Sequence, residues 1–132
     1  MSLDKSTILK VFNEHFVEFI EDIASVFPDE NDLILAKNYL LLMKKTNPKL
    51  LINIFYNNIF LKYNDKFEQN DMDYFIEKDY QEDFTENKNS AKIIQSIDHL
   101  RSSIKNMNEH NKTKTIKYLQ NLCKLSNSYV NN

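Results

Sequence analysis

The sequence predicts an all-α helical bundle, and three observations carry that reading. Apolar residues recur at spacings of three and four over long stretches, the period of a helix with one buried face. The chain contains no glycine. Tight hairpin turns lose their usual residue, whereas helices joined by Asn-containing turns need glycine least. Only two prolines occur, Pro28 and Pro48, and both read as helix starters. With 132 residues, 42% of them hydrophobic, the chain fits one domain with an ordinary core. Residues 1–132 are therefore read as a single helical domain of about five main helices plus a short one.

The first helix is expected over residues 6–26. Ile8, Phe12, Phe16, Phe19, Ile23 and Val26 form its apolar stripe, widened by Leu9 and Ile20, while Glu14, Glu18, Glu21 and Asp22 fall on the other side. Phe27-Pro28 ends it. A second helix starts near Asp29 or Asn31 and runs to about Lys45. Its stripe is Leu33, Ala36, Leu40 and Met43, and Lys44 and Lys45 suit the negative end of its dipole. Asn47-Pro48 reads as a cap followed by a proline at the first helical position. The third helix carries Leu51, Ile54, Phe55, Asn58, Ile59 and Tyr63, with Asn64-Asp65 expected to break it.

A short helix is expected over residues 72–78, with a turn near Asp79 and with Tyr80 and Phe84 holding the segment to the body. Residues 86–89 make the best linker. Ser90 is read as the cap of a long helix that turns Ile93, Ile97, Leu100, Ile104 and Met107 to one face. Thr113 or Asn111 would cap a last helix with Ile116, Leu119, Leu122 and Cys123 inward, and Tyr129 and Val130 would fray or pack loosely.

Several chemistries are excluded. Without glycine there is no phosphate-cradling loop of the Walker, Rossmann or kinase kind. One cysteine, Cys123, cannot form an internal disulfide. It falls on an apolar face with no base beside it in sequence, so it reads as core filler rather than a nucleophile. His15, His99 and His110 lack the four-residue spacing or cysteine company of a zinc site. No cofactor and no enzymatic activity are expected. The longest apolar run, residues 39–43, is too short to span a bilayer. An intracellular protein is expected, not a secreted one.

Two features remain as candidate surfaces. The stretch NDMDYFIEKDYQEDF, residues 70–84, mixes carboxylates with rings. Asp71, Asp73, Glu77, Asp79, Glu82 and Asp83 lack the mid-loop glycine of a calcium loop, so no metal site is expected. The segment reads as a ring-rich cap on the bundle or as a docking surface, with Tyr74, Phe75 and Tyr80 as protein-binding anchors. The second feature is the charge split. Residues 1–86 hold 17 acidic and 9 basic side chains, a net −8, and residues 87–132 hold 2 and 8, a net +6, which sum to the chain's −2. The basic third would fold back on the acidic half, bind nucleic acid through Lys112, Lys114 and Lys117, or meet an acidic protein partner. Lys88, Lys92, Arg101, Lys105 and Lys124 would stand by, with Tyr118 and Tyr129 for stacking. The presence of a single arginine weakens the nucleic-acid reading.

VFPDENDL at residues 26–33, NPKLL at 47–51, FIEKDY at 75–80 and NKTKTIKYLQNLCKL at 111–125 together resemble a group of small helical proteins. These are encoded by nucleocytoplasmic large DNA viruses, the giant viruses of algae and amoebae. The resemblance covers most of the chain and includes no catalytic motif. Two positions depart from it: Asn70 stands where a glycine is expected ahead of FIEKDY, and the C-terminal helices lack a tryptophan. The group has no assigned activity, so no residue role carries over. The resemblance implies a protein of the infected cell's cytoplasm, of its viral factory, or of the virion. The expected function is a non-enzymatic interaction or adaptor protein that docks a viral or host protein or a second copy of itself. A nucleic-acid-associated factor is the alternative, and no membrane association is expected.

Overall fold

The computed structural model describes residues 4–69 and 88–131, and all regular secondary structure among them is helical. The helices are α1 (Lys5–Val26), α2 (Asn31–Thr46), α3 (Pro48–Phe55), α4 (Leu61–Glu68), α5 (Lys88–Lys105) and α6 (Glu109–Val130). A π-helical turn, Tyr56–Phe60, joins α3 directly to α4. The protein is an all-α helical bundle, as the sequence predicts.

Helix α1 begins where an acidic cap satisfies its first free N–H groups. The Asp4 carboxylate accepts from the Thr7 backbone N–H at 2.8 Å and from the Ser6 hydroxyl at 2.9 Å. Its end is set by Pro28, because the residue before a proline is pushed out of helical geometry; Phe27 has φ −130° and ψ 65°. Pro28 itself does not open α2. It sits in the turn between the helices, where the Glu30 N–H donates to the Phe27 carbonyl. Pro48, by contrast, takes the first position of α3, although Asn47 gives no side-chain capping bond.

Asn64-Asp65 does not end the third helix. The rod runs on through the π-turn into α4. Leu51, Phe55, Ile59 and Tyr63 are four apart, and in an ideal α-helix each such step drifts about 40° round the axis. The wider π-turn takes up this drift, and all four side chains stay in the core. Asn58 is buried in the turn and donates its amide to the Ile54 carbonyl at 3.2 Å.

Ser90 lies inside α5 rather than at its cap. The last helix is capped by Asn108, whose Oδ1 accepts from the Asn111 N–H at 2.9 Å, so neither Asn111 nor Thr113 is the cap. Thr113 instead donates to the Glu109 carbonyl. Tyr129 does not fray: it is buried, and the Lys5 ammonium lies 5.1 Å from its ring centre.

Packing sets α1 against α6 and α2 against α5, with α3 touching all four. The core is built on rings. Phe12, Phe16, Phe19 and Phe55 meet edge to face at centroid distances of 5.5 to 6.2 Å, an arrangement that adds ring electrostatics to burial. Around them pack Ile20, Ile23, Leu33, Leu40, Ile93, Leu100, Leu119 and Leu122 in one continuous cluster. Cys123 is wholly buried within it.

Candidate functional site

The three anchors expected from sequence, Tyr74, Phe75 and Tyr80, lie outside the described residues, with the carboxylates of residues 71–86. The basic C-terminal helix is described in full, and it splits its lysines: Lys114, Lys117 and Lys124 fall within about 80° of one another, and Lys112 stands apart. Lys112 and Lys117 are five positions apart and so point about 140° away from each other. Lys112 is half-buried, while Lys114 and Lys117 are exposed. Lys114 reaches back to the acidic first helix, where its ammonium donates to Asp22 at 2.9 Å. That hydrogen bond and the Asp22 charge hold the Lys114 pKa above the ordinary lysine value.

Arg101 is not a surface cation either. It is buried, ion-paired with Asp98 one turn earlier on α5, and lines a small apolar gap beside Phe16, Phe55 and Leu119. At about 10 Å³ this gap is the size of one water at most.

The histidines are dispersed. His15 lies half-buried against Tyr118 at a centroid distance of 5.0 Å, with its Nδ1 3.7 Å from Glu18. His110 is exposed. His99 lines a cleft on the far side of the bundle. Among the described residues, no group of His, Cys, Asp and Glu is arranged to hold a metal ion, and no helix is long and apolar enough to cross a membrane.

The feature that stands out is α2. Its inner face buries Leu33, Ala36, Leu40 and Met43. Its outer face carries Asn31, Ile34, Leu35, Asn38, Leu42 and Lys45, spaced as one helical stripe, and all six are exposed. Leu35 is 67% exposed and Leu42 51%. A surface helix ordinarily shows polar residues on this side; here Ile34, Leu35 and Leu42 stand among Asn31, Asn38 and Lys45.

Beside this ridge a cleft of about 160 Å³ opens between α2 and α5. Asp32, Leu35 and Tyr39 form one wall; Lys92, Gln95, Ser96 and His99 form the other. The Lys92 ammonium lies 4.9 Å from the Tyr39 ring centre, within range of a cation–π contact. Burial pushes the Tyr39 phenol above its ordinary pKa. Ridge and cleft together form a surface with apolar projections, a shallow recess and flanking charge, which suits the side chains of another protein.

Sequence reasoning placed the inner stripe of α2 and passed over the outer one. The signal was present. The run Tyr39 to Met43 is apolar without a break, so a helix spanning it must show some of these side chains outward whichever face is buried.

No family model matches the chain, and no curated protein or solved structure matches it.

Proposed function

We propose that the protein is a non-enzymatic interaction module that works by docking another protein, in the setting implied by its resemblance to small helical proteins of large DNA viruses. One observation carries the reading: the outward face of α2 leaves Ile34, Leu35 and Leu42 exposed on a rigid helix. Apolar anchors held on a packed scaffold lose little conformational freedom when a partner covers them. The aromatic–acidic segment, with Tyr74, Phe75 and Tyr80, would extend the contact surface. The site of action would be the host cytoplasm, the viral factory or the virion.

The nucleic-acid alternative finds less support. Lys114 is engaged by Asp22, and Lys112 and Lys117 diverge around α6. Affinity capture of the tagged chain from infected cells, with and without nuclease, separates the two. Protein partners retained after nuclease support docking. Partners that vanish with nuclease favour the basic third and overturn the proposal. In that case Lys112→Glu, Lys114→Glu and Lys117→Glu together abolish the binding.

A further inference from the structure

The outward face of α2 carries more than apolar side chains: it also has a charge order along its length. Asp32 is exposed in its first turn. Lys45 is exposed in its last turn, whereas Lys44 is half-buried and falls on the opposite side from Leu42. Between the two ends lie the exposed Leu35 and Leu42, seven residues apart, with exposed Asn38 between them. Seven residues is close to two helical turns, so both leucines rise from the same side.

This pattern is complementary to itself when reversed. Two such helices laid side by side in the same direction place Asp32 against its own copy, and Lys45 likewise. Laid antiparallel, they bring the acidic start of one against the basic end of the other, and their dipoles oppose favourably. A twofold axis between Asn38 and Tyr39 sets Leu35 against Leu42 of the second copy. It leaves Asn38 as the polar residue in the middle of an apolar seam. A single polar residue there favours one register over its slipped alternatives.

We infer that the outward face of α2 seats the same face of a second copy, forming an antiparallel, twofold-symmetric dimer. This rests on the docking reading of α2 and names its partner. The contact is isologous, so it closes at two copies and does not propagate.

Sedimentation equilibrium of the full chain over a range of concentrations tests it. The expected mass rises from the monomer's 15.8 kDa to twice that value and no further. Leu35→Glu with Leu42→Glu stays monomeric at every concentration, with unchanged helical circular dichroism because both sites face outward. Lys45→Glu weakens the dimer severalfold, and adding Asp32→Lys restores it. A wild-type chain that remains monomeric throughout overturns the inference. So does growth beyond two copies, or a charge reversal that restores nothing. A monomeric chain that still captures protein partners through Leu35 and Leu42 overturns self-pairing alone and leaves the docking reading standing.

Discussion

Arg101 shows how far a single residue can depart from its expected role. In sequence it is one more cation in a basic third; in the fold it is buried beside Phe16 and Phe55 with Asp98 as its ion-pair partner. Truncating it opens the small gap it lines and strips Asp98 of its counter-charge. Arg101→Ala is expected to lower stability by about 1–3 kcal/mol in urea unfolding, with the value held down because Asp98 is partly exposed. Lys114 makes the opposite case. Its ordered partner raises its pKa, so the pair stabilises the fold below the ordinary lysine pKa near 10.5 and the gain is lost as pH rises through the folded value. The Tm difference between wild type and Lys114→Met is therefore expected at neutral pH and should close in strong alkali. Asp4 follows the reverse sign. The Thr7 N–H lowers its pKa below the ordinary 3.8, so its contribution is present above that pH and disappears as pH falls through the folded value. An Asp4→Ala penalty should shrink in acid. The pairing of Lys114 with Asp22 could not be read from spacing, because the two are 92 positions apart. Those of Arg101 with Asp98 and of Asp4 with Thr7, three positions apart, are at spacings a helix brings together.

Among the elements, most of the inner stripes were legible. So were the ends of α1 and α2 and the start of α3 to within a residue, whereas the end of the third rod and the caps of α5 and α6 were not. The three-and-four spacing placed Phe12, Leu40, Phe55, Ile97 and Leu122 inside, and all are buried. Helix ends depend on one or two local bonds, and here competing residues stood within a few positions of each other. Asn108 took the cap of α6 because its side chain reached the Asn111 N–H. The π-turn was not visible, since Asn64-Asp65 carries an ordinary breaker signal. Its role gives a test. Deleting Asn57 should convert the turn to regular helix and shorten the step from Phe55 to Ile59 to three residues, which keeps Ile59 and Tyr63 on the buried face. That change should therefore cost less than deleting Lys62 inside α4, which swings Tyr63 about 100° out of the core. On α2, the two faces should behave differently. Leu40→Ala is expected to cost about 2–5 kcal/mol, whereas Leu35→Glu should change stability by less than about 0.5 kcal/mol. Chemical denaturation of both variants checks this directly.

For the whole molecule, the acidic-to-basic split along the chain was legible, and its use is partly internal. Helix α6 packs on α1, and Lys114 meets Asp22 across that contact. The exposed apolar side chains of α2 were less legible, because sequence shows that α2 is rich in leucine without showing which leucines find cover. That surface is the centre of this account, and one measurement tests it most directly. A photo-crosslinking amino acid is placed at Leu35, with another at Lys124 on α6 as a control, and the adducts formed in cells that express the chain are identified by mass spectrometry. The account predicts protein adducts at Leu35, a second copy of the chain among them, that do not form at Lys124. Identical adducts at both positions, or none at Leu35, would contradict a docking role for α2.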